Sequence, residues 1–240
     1  MSSSSGMVNM IKNVGKLVIT FDDGFETDYT RAYPELRKRG LIGCSYILPS
    51  RMPGNGEITW SHARIMDNGG HDMECHGYTH TARTELTEEE LEQEMIDVNN
   101  AFDINNISTP SHHAFPFGSY QSNKETILDI MGQYRTTLRT TSGGQTNPVN
   151  TKETYESEGV LYAKTADIVD ENYFNEVKEY IDYIENNVIV GIIYIHEIVD
   201  IPADYKCLFS YYTNLLDYIL TKNIEVISIN QVIDALNLLD

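Results

Sequence analysis

The sequence predicts one α/β domain whose mainly parallel sheet has about eight strands, the number a barrel uses. From residue 16 onward, short β-branched runs alternate with amphipathic stretches, the pattern of βα units. Two apolar runs, Leu17-Val18-Ile19 and Val188 to Ile195, lead straight into chemically active residues, Asp22-Asp23 and His196. Strand C-terminal ends are where α/β folds build their sites. No linker-like stretch separates Lys16 from Asp240, so a single domain is expected.

Taken in order, Leu17–Thr20 is the first strand. Pro34 belongs in the first turn of a helix ending near Gly40, because an interior proline would break the hydrogen-bond ladder. Cys44–Leu48 and Asp72–Cys75 are strands. Trp60, the only tryptophan, precedes a helix between them and reads as core packing. The best-marked helix lies between Thr87 and Phe102. Thr87 and Glu90 form a capping box, Leu86 and Leu91 occupy staple positions, and Leu91, Met95, Val98 and Phe102 keep helical spacing. His112–Phe115 follows as a strand, and Ser122 with Glu125 signals another helix start. Tyr134–Leu138, Leu161–Lys164, Val188–Ile195 and Glu225–Ile229 complete the strands. Met1 to Met10 is Ser-rich and lacks an apolar signal core. Residues 1–15 therefore read as a disordered leader or expression remnant, and 16–240 as the folded domain.

Composition narrows the function classes. Hydrophobic residues make up 41% and charged residues 22%, which suits a folded globular chain. Seventeen basic against thirty-six acidic residues leave a net charge of −19, so attraction to nucleic acid phosphates or an anionic membrane is not expected. Cys44, Cys75 and Cys207 lack CxxC spacing, which argues against both a disulfide framework and a thiolate zinc site. No stretch approaches the ~20 apolar residues of a membrane span. Oligomeric state and compartment, cytoplasmic or exported with a signal removed, are left open.

Three segments carry chemistry. Thr20-Phe21-Asp22-Asp23-Gly24 places adjacent carboxylates at a strand's end, and a turn eased by Gly24 would let both face one pocket. By itself, Asp-Asp-Gly reads as a turn. His76-Gly77-Tyr78-Thr79-His80 supplies two imidazoles four apart. With one carboxylate they would make a two-His, one-carboxylate face with open positions for water and substrate. His196 ends the most apolar strand, where it could be a core residue or a general acid titrating near neutrality.

Together these segments resemble the polysaccharide deacetylases of carbohydrate esterase family four. Thr20 to Gly24 resembles the first motif, Gly70 to His80 the second with its lead-in, Ala114-Phe115-Pro116-Phe117-Gly118 the third, and Tyr194-Ile195-His196 the fifth. The resemblance implies a distorted (β/α) barrel of about seven to eight strands in a single domain. It implies that Asp23, His76 and His80 hold a divalent metal, most often zinc, with cobalt or nickel able to substitute. Asp22 would take a proton from the attacking water, the backbone N–H of Phe117 would help hold the oxyanion, and His196 would protonate the departing amine.

Three departures from the family pattern matter. Gly77 stands where Ser or Thr is common, so a supporting loop hydrogen bond is expected to be missing. Ala114 stands where the third motif usually has an Arg that orients the base. With Ala there, the segment is closer to the poly-N-acetylglucosamine deacetylases of biofilms. The fourth motif is not recognisable. Lys164, His113 and Asp167 are the candidates for orienting the base, with His112, Arg135 and Arg139 as competitors. His71 reads as a structural hydrogen-bonding residue beneath the site.

The expected activity is metal-dependent removal of N-acetyl groups from an N-acetylglucosamine-containing carbohydrate, a hydrolysis of C–N bonds other than peptide bonds. One alternative is an amidase of the same barrel acting on a small amide or cyclic imide. The other is a non-catalytic sugar-binding protein, motivated by Ala114 and the missing fourth motif.

Overall fold

The computed structural model describes residues 13–141 and 144–239. Seven parallel strands form a closed barrel: β1 (Gly15–Asp22), β2 (Cys44–Ile47), β3 (Asp72–Cys75), β4 (His112–Ala114), β5 (Thr137–Thr141), β6 (Leu161–Thr165) and β7 (Val190–Ile195). Pairing of β1 with β7 closes it, with Lys16 opposite Val190 and Phe21 opposite Ile195. A short β8 (Glu197–Val199) and β9 (Lys206–Leu208) pair with each other beyond the rim. The last strand, β10 (Ile224–Val226), pairs with Gly15–Leu17 of β1, whereas β2 pairs only with Thr20–Asp22. β10 thus fills the stretch of β1 that β2 does not reach, which is the barrel's distortion.

Helices wrap this barrel: α1 (Tyr33–Lys38), α2 (Trp60–Asn68), α3 (Glu88–Ile104), α4 (Lys124–Gly132), α5 (Lys152–Glu158), α6 (Glu171–Asn187), α7 (Phe209–Leu220) and α8 (Val232–Leu239). The capping box expected at Thr87 is present, with Thr87 and Glu90 satisfying each other's backbone N–H groups. Pro34 lies in the first turn of α1. Trp60 packs edge-on against Phe102 at 5.6 Å between ring centres.

The alternation of β1 sets up everything above it. Leu17, Ile19 and Phe21 join the outer core under α6 and α7. Val18 belongs to a separate inner core with Tyr46, Ala114, Ala163 and Ile192. Residues two apart share a face, so Val18, Thr20 and Asp22 all belong to the inner one. At Gly191 a Cβ would fall 2.0 Å from the Ile184 side chain, so the seat of α6 on β7 requires glycine.

All eight expected strands are present, Asp72–Cys75 with the limits expected and the others with shifted ones. The largest shift is at β5, expected over Tyr134–Leu138 and found at Thr137–Thr141. Tyr134 and Arg135 donate their N–H groups to the Met131 carbonyl, closing α4, and so are unavailable to the sheet. The strand therefore runs three residues further and takes in Arg139. Val188 similarly closes α6 in a left-handed conformation, delaying β7 to Val190. Most of the expected leader, residues 1–12, lies outside the described residues, and Gly15 is already in β1.

Candidate active site

Asp22 and Asp23 both line a cleft of about 590 Å³ at the C-terminal end of the barrel, together with His76, His80, Phe117 and His196. Adjacent strand residues would diverge, but Asp23 (φ 74°) and Gly24 (φ 69°) are both left-handed. The chain turns at that point, and the second carboxylate swings to the same side as the first.

Asp23, His76 and His80 converge, with one ligand atom from each lying within 4.8 Å of the others. Asp23 Oδ1 is 3.1 Å from His80 Nε2 and 3.8 Å from His76 Nε2. This buried oxygen has no hydrogen-bond partner. His76 Nδ1 lies 2.9 Å from the Ala114 carbonyl oxygen. Donation there puts the proton on Nδ1 and turns the Nε2 lone pair toward Asp23. Burial pushes His76 down to about 3 and His80 down to about 4, so both are neutral imidazoles. Burial, and then the neighbouring Asp22 charge, pushes Asp23 up to about 6. Two neutral imidazole nitrogens and an unpartnered, charge-strained carboxylate oxygen fit a divalent cation, which would supply the missing partner and stabilise the anion.

Asp22 is held by Arg139, whose Nη2 lies 2.5 Å from Asp22 Oδ1. The guanidinium is buried between the faces of Tyr46 and Tyr194, at 5.1 and 5.2 Å. Burial alone would raise the Asp22 carboxyl. The opposing charge of Arg139, aided by His76 and His196, holds it below the usual carboxylate range.

The cation on Asp22 is therefore Arg139 rather than Lys164. The Lys164 ammonium donates to the Thr146 carbonyl at 3.0 Å and lies 4.0 Å from Glu176. His113 is turned toward the Cys75 sulfur, 3.2 Å away, and the Phe115 ring, and His112 toward Thr137 and Asn230. Arg135 Nε donates to the Cys75 sulfur. Asp167 is placed on His196 instead. One of its oxygens is 2.6 Å from His196 Nδ1, and the other accepts the His196 backbone N–H at 2.8 Å. Burial opposes the charged imidazole, but Asp167 outweighs it and, with Asp22 and Asp23, pushes His196 up to about 9.

One group was missed in the sequence. Glu94 of α3 accepts the backbone N–H groups of Tyr78 and Thr79 at 3.0 and 3.1 Å, the Thr79 hydroxyl, and Arg83 Nη1 at 2.6 Å. This carboxylate clasps the loop between the two histidines from beneath. At Gly77 (φ 98°) a Cβ would fall 2.0 Å from Arg83 Nη2, so the guanidinium fills the space that a Ser or Thr side chain would need. The signal in the sequence was a charged residue inside the apolar stripe Leu91, Met95, Val98. His71 sits below the site, its Nε2 3.0 Å from Ser45 Oγ, which in turn donates to Asp28.

Phe117 has φ 58° and sets its ring 4.6 Å from that of His80.

Comparison with known proteins agrees on the family. A family model described as polysaccharide deacetylase matches residues 11–138. YxkH of Bacillus subtilis (strain 168), named for the same family, is 29% identical over 111 residues. That match covers 46% of this chain and 39% of the relative, so this chain spans about two fifths of YxkH. Among solved structures, a family 4 carbohydrate esterase from Streptomyces lividans in complex with acetate superposes with a TM-score of 0.59 at 16% identity, covering 90% of this chain and 93% of that one. A family 4 carbohydrate esterase from Bacillus anthracis gives 0.59 at 14% identity over 92% and 86%. A mutant of a family 4 pseudoenzyme with restored activity gives 0.60 at 11% identity over 93% and 69%. At these identities the structural likenesses establish the fold, and the family model, which spans more than half of the sequence, establishes the rest: the chain belongs to the polysaccharide deacetylase family.

Proposed function

We propose that the protein is a metal-dependent N-deacetylase of N-acetylglucosamine-containing carbohydrate. One observation carries the reading: an unpartnered carboxylate oxygen of Asp23 faces two neutral imidazole nitrogens, with a held carboxylate, Asp22, and a held imidazolium, His196, in the same cleft. Asp23, His76 and His80 are the residues that would hold the ion, with zinc favoured and cobalt or nickel as substitutes. When bound, such a cation lowers the pKa of water and polarises a carbonyl oxygen.

The remaining chemistry belongs to side chains of this protein. Arg139 occupies Asp22 Oδ1, which leaves Oδ2 to take a proton from the attacking water. Phe117 lines the cleft at a left-handed turn, and its backbone N–H is the proposed oxyanion donor. Asp167 engages His196 Nδ1, so Nε2 carries the proton given to the departing amine. A histidine held protonated at neutral pH suits that step, because an amine leaves poorly unless it gains a proton as the C–N bond breaks.

Acetate release from acetylated chitin-type and poly-N-acetylglucosamine oligomers, with and without chelator and with zinc content measured in parallel, tests the reading. Chelator-sensitive acetate release supports it. Turnover of small cyclic imides without acetate release from oligomers would move the assignment to an amidase. Sugar binding by zinc-loaded protein without turnover of either would leave a binding protein.

A further inference from the structure

Asparagine is followed by glycine at Asn55-Gly56 and at Asn68-Gly69. This pair carries its own chemistry, because a glycine nitrogen has no neighbouring Cβ to shield it and can reach the Cγ of the asparagine side chain before it. Both asparagines are exposed, and the fold treats them differently.

Asn68 is the last residue of α2. The Gly69 N–H donates to the Ile65 and Met66 carbonyls at 3.2 and 3.0 Å, and the Asn68 side-chain amide donates to the Arg64 carbonyl at 2.7 Å. These bonds fix the Gly69 nitrogen in helical geometry and occupy its hydrogen. Asn55 and Gly56 instead lie in the exposed loop between β2 and α2. Among the described residues no group accepts the Gly56 N–H, and nothing lies within 4 Å of where a Cβ on Gly56 would stand.

The chain just beyond is anchored to the cleft. The Gly56 carbonyl accepts the Glu26 N–H at 2.7 Å, Glu57 pairs with Phe25 in an isolated antiparallel bridge, and the Ile58 N–H donates to the Gly24 carbonyl at 2.9 Å. Residues 56–58 therefore hold the segment that leaves the Asp22-Asp23 turn, and Phe25 of that segment lines the cleft.

We propose that Asn55-Gly56 is a site of spontaneous deamidation whose iso-aspartyl product loosens the Asp23-Gly24 turn and weakens metal binding there. The last effect rests on the metal-site reading above. The Gly56 nitrogen gives its proton to solvent base and attacks Asn55 Cγ. A new C–N bond closes a succinimide ring, the Cγ–Nδ2 bond breaks, and ammonia leaves after taking up a proton. Water then opens the ring. Attack at Cγ leaves aspartate, and attack at the Asn55 main-chain carbonyl leaves iso-aspartate, whose backbone runs on through Cβ and Cγ. The sum is one water consumed and one ammonia released, with no oxidation or reduction. The added backbone atom lies directly before Gly56, so the register of residues 56–58 on 24–26 must shift.

The test ages the native full-length protein in mildly alkaline buffer, with peptide mapping over time. Asn55 is expected to convert at least about ten times faster than Asn68, with iso-aspartate among the products, and in urea the two rates should come within about threefold. Equal rates in the folded protein, or an intact Asn55 where the urea-unfolded chain reacts, overturns the site. Zinc affinity by competition with a chromophoric chelator should fall about tenfold in aged protein, the scale of a lost support to a metal ligand. Fresh Asn55→Asp, which adds the charge without the backbone atom, and aged Asn55→Gln, whose longer side chain closes the ring poorly, should keep native affinity. Native affinity in fully converted protein overturns the coupling to the turn. If fresh protein binds no zinc, the metal-site reading fails. The coupling is then read from hydrogen exchange at the Ile58 amide: faster exchange in aged than in fresh protein supports it, and equal exchange overturns it.

Discussion

Arg139 stands directly opposite Ala114 in the register between β4 and β5, and from there its guanidinium reaches the Asp22 carboxylate. The position that commonly carries a base-orienting Arg in related sequences is thus occupied by a small buried side chain, and the charge arrives from the next strand. Removing it as Arg139→Met should move the acidic limb of the pH–rate profile upward, since Asp22 loses the charge that offsets its burial. It should also destabilise the fold by about 3–5 kcal/mol, because a buried carboxylate loses its partner. Adding Ala114→Arg to Arg139→Ala should recover turnover relative to Arg139→Ala alone. Equal activity of those two variants would show that the strand of origin matters. Lys164→Ala should leave the profile unchanged.

Metal occupancy should separate ligands from the base. Asp23→Ala, His76→Ala and His80→Ala should each lower zinc content measured by atomic emission. Asp22→Asn should keep the metal while turnover falls by a factor of ~100 or more, the usual scale for a lost general base. Full occupancy in all three alanine variants would mean that the ion binds elsewhere.

The basic limb of kcat should report His196. Its folded pKa of about 9 lies above the ordinary histidine value of 6.5, so turnover should decline as pH rises through 9 and the acid loses its proton. Asp167→Asn removes the hydrogen bond and charge that raise it, and should move that limb toward neutrality. The stability effect has the matching sign. The His196–Asp167 pair contributes fully below pH 6.5, and its contribution is lost as pH rises through about 9. Thermal melts across that window should show the loss in the native protein and not in Asp167→Asn.

The clasp beneath the histidine loop should act through metal affinity. Glu94→Gln keeps the shape but replaces one acceptor oxygen with an amide, and zinc affinity by competition with a chromophoric chelator should fall about 10- to 100-fold, the range seen when supporting partners of metal ligands are lost. Gly77→Ser should produce a comparable loss, because its Cβ would meet Arg83. Unchanged affinity in both variants would show that the loop holds its shape without the clasp.

Much of the architecture was legible because its signals are local. Each βα unit announces itself by apolar period, and caps such as Thr87 with Glu90 depend on residues three apart. The carboxylate pair and the two His-bearing segments were likewise legible as neighbours in sequence. The β5 limit was not, because whether Tyr134 and Arg135 join a strand or close a helix depends on which carbonyl their N–H groups meet.

The sequence by itself determined a parallel α/β barrel and the set of acidic and imidazole side chains gathered at the C-terminal ends of its strands, since strand parity and motif order are properties of the chain read along its length. Only the tertiary structure decided the partners. Arg139 rather than Lys164 neutralises Asp22, Asp167 holds His196, and Glu94 with Arg83 holds the loop between His76 and His80. These pairs join residues 117, 29 and 16 positions apart, and they are chosen by barrel closure and strand register, which bring distant charges within hydrogen-bonding distance in a buried site where an unpaired charge is costly.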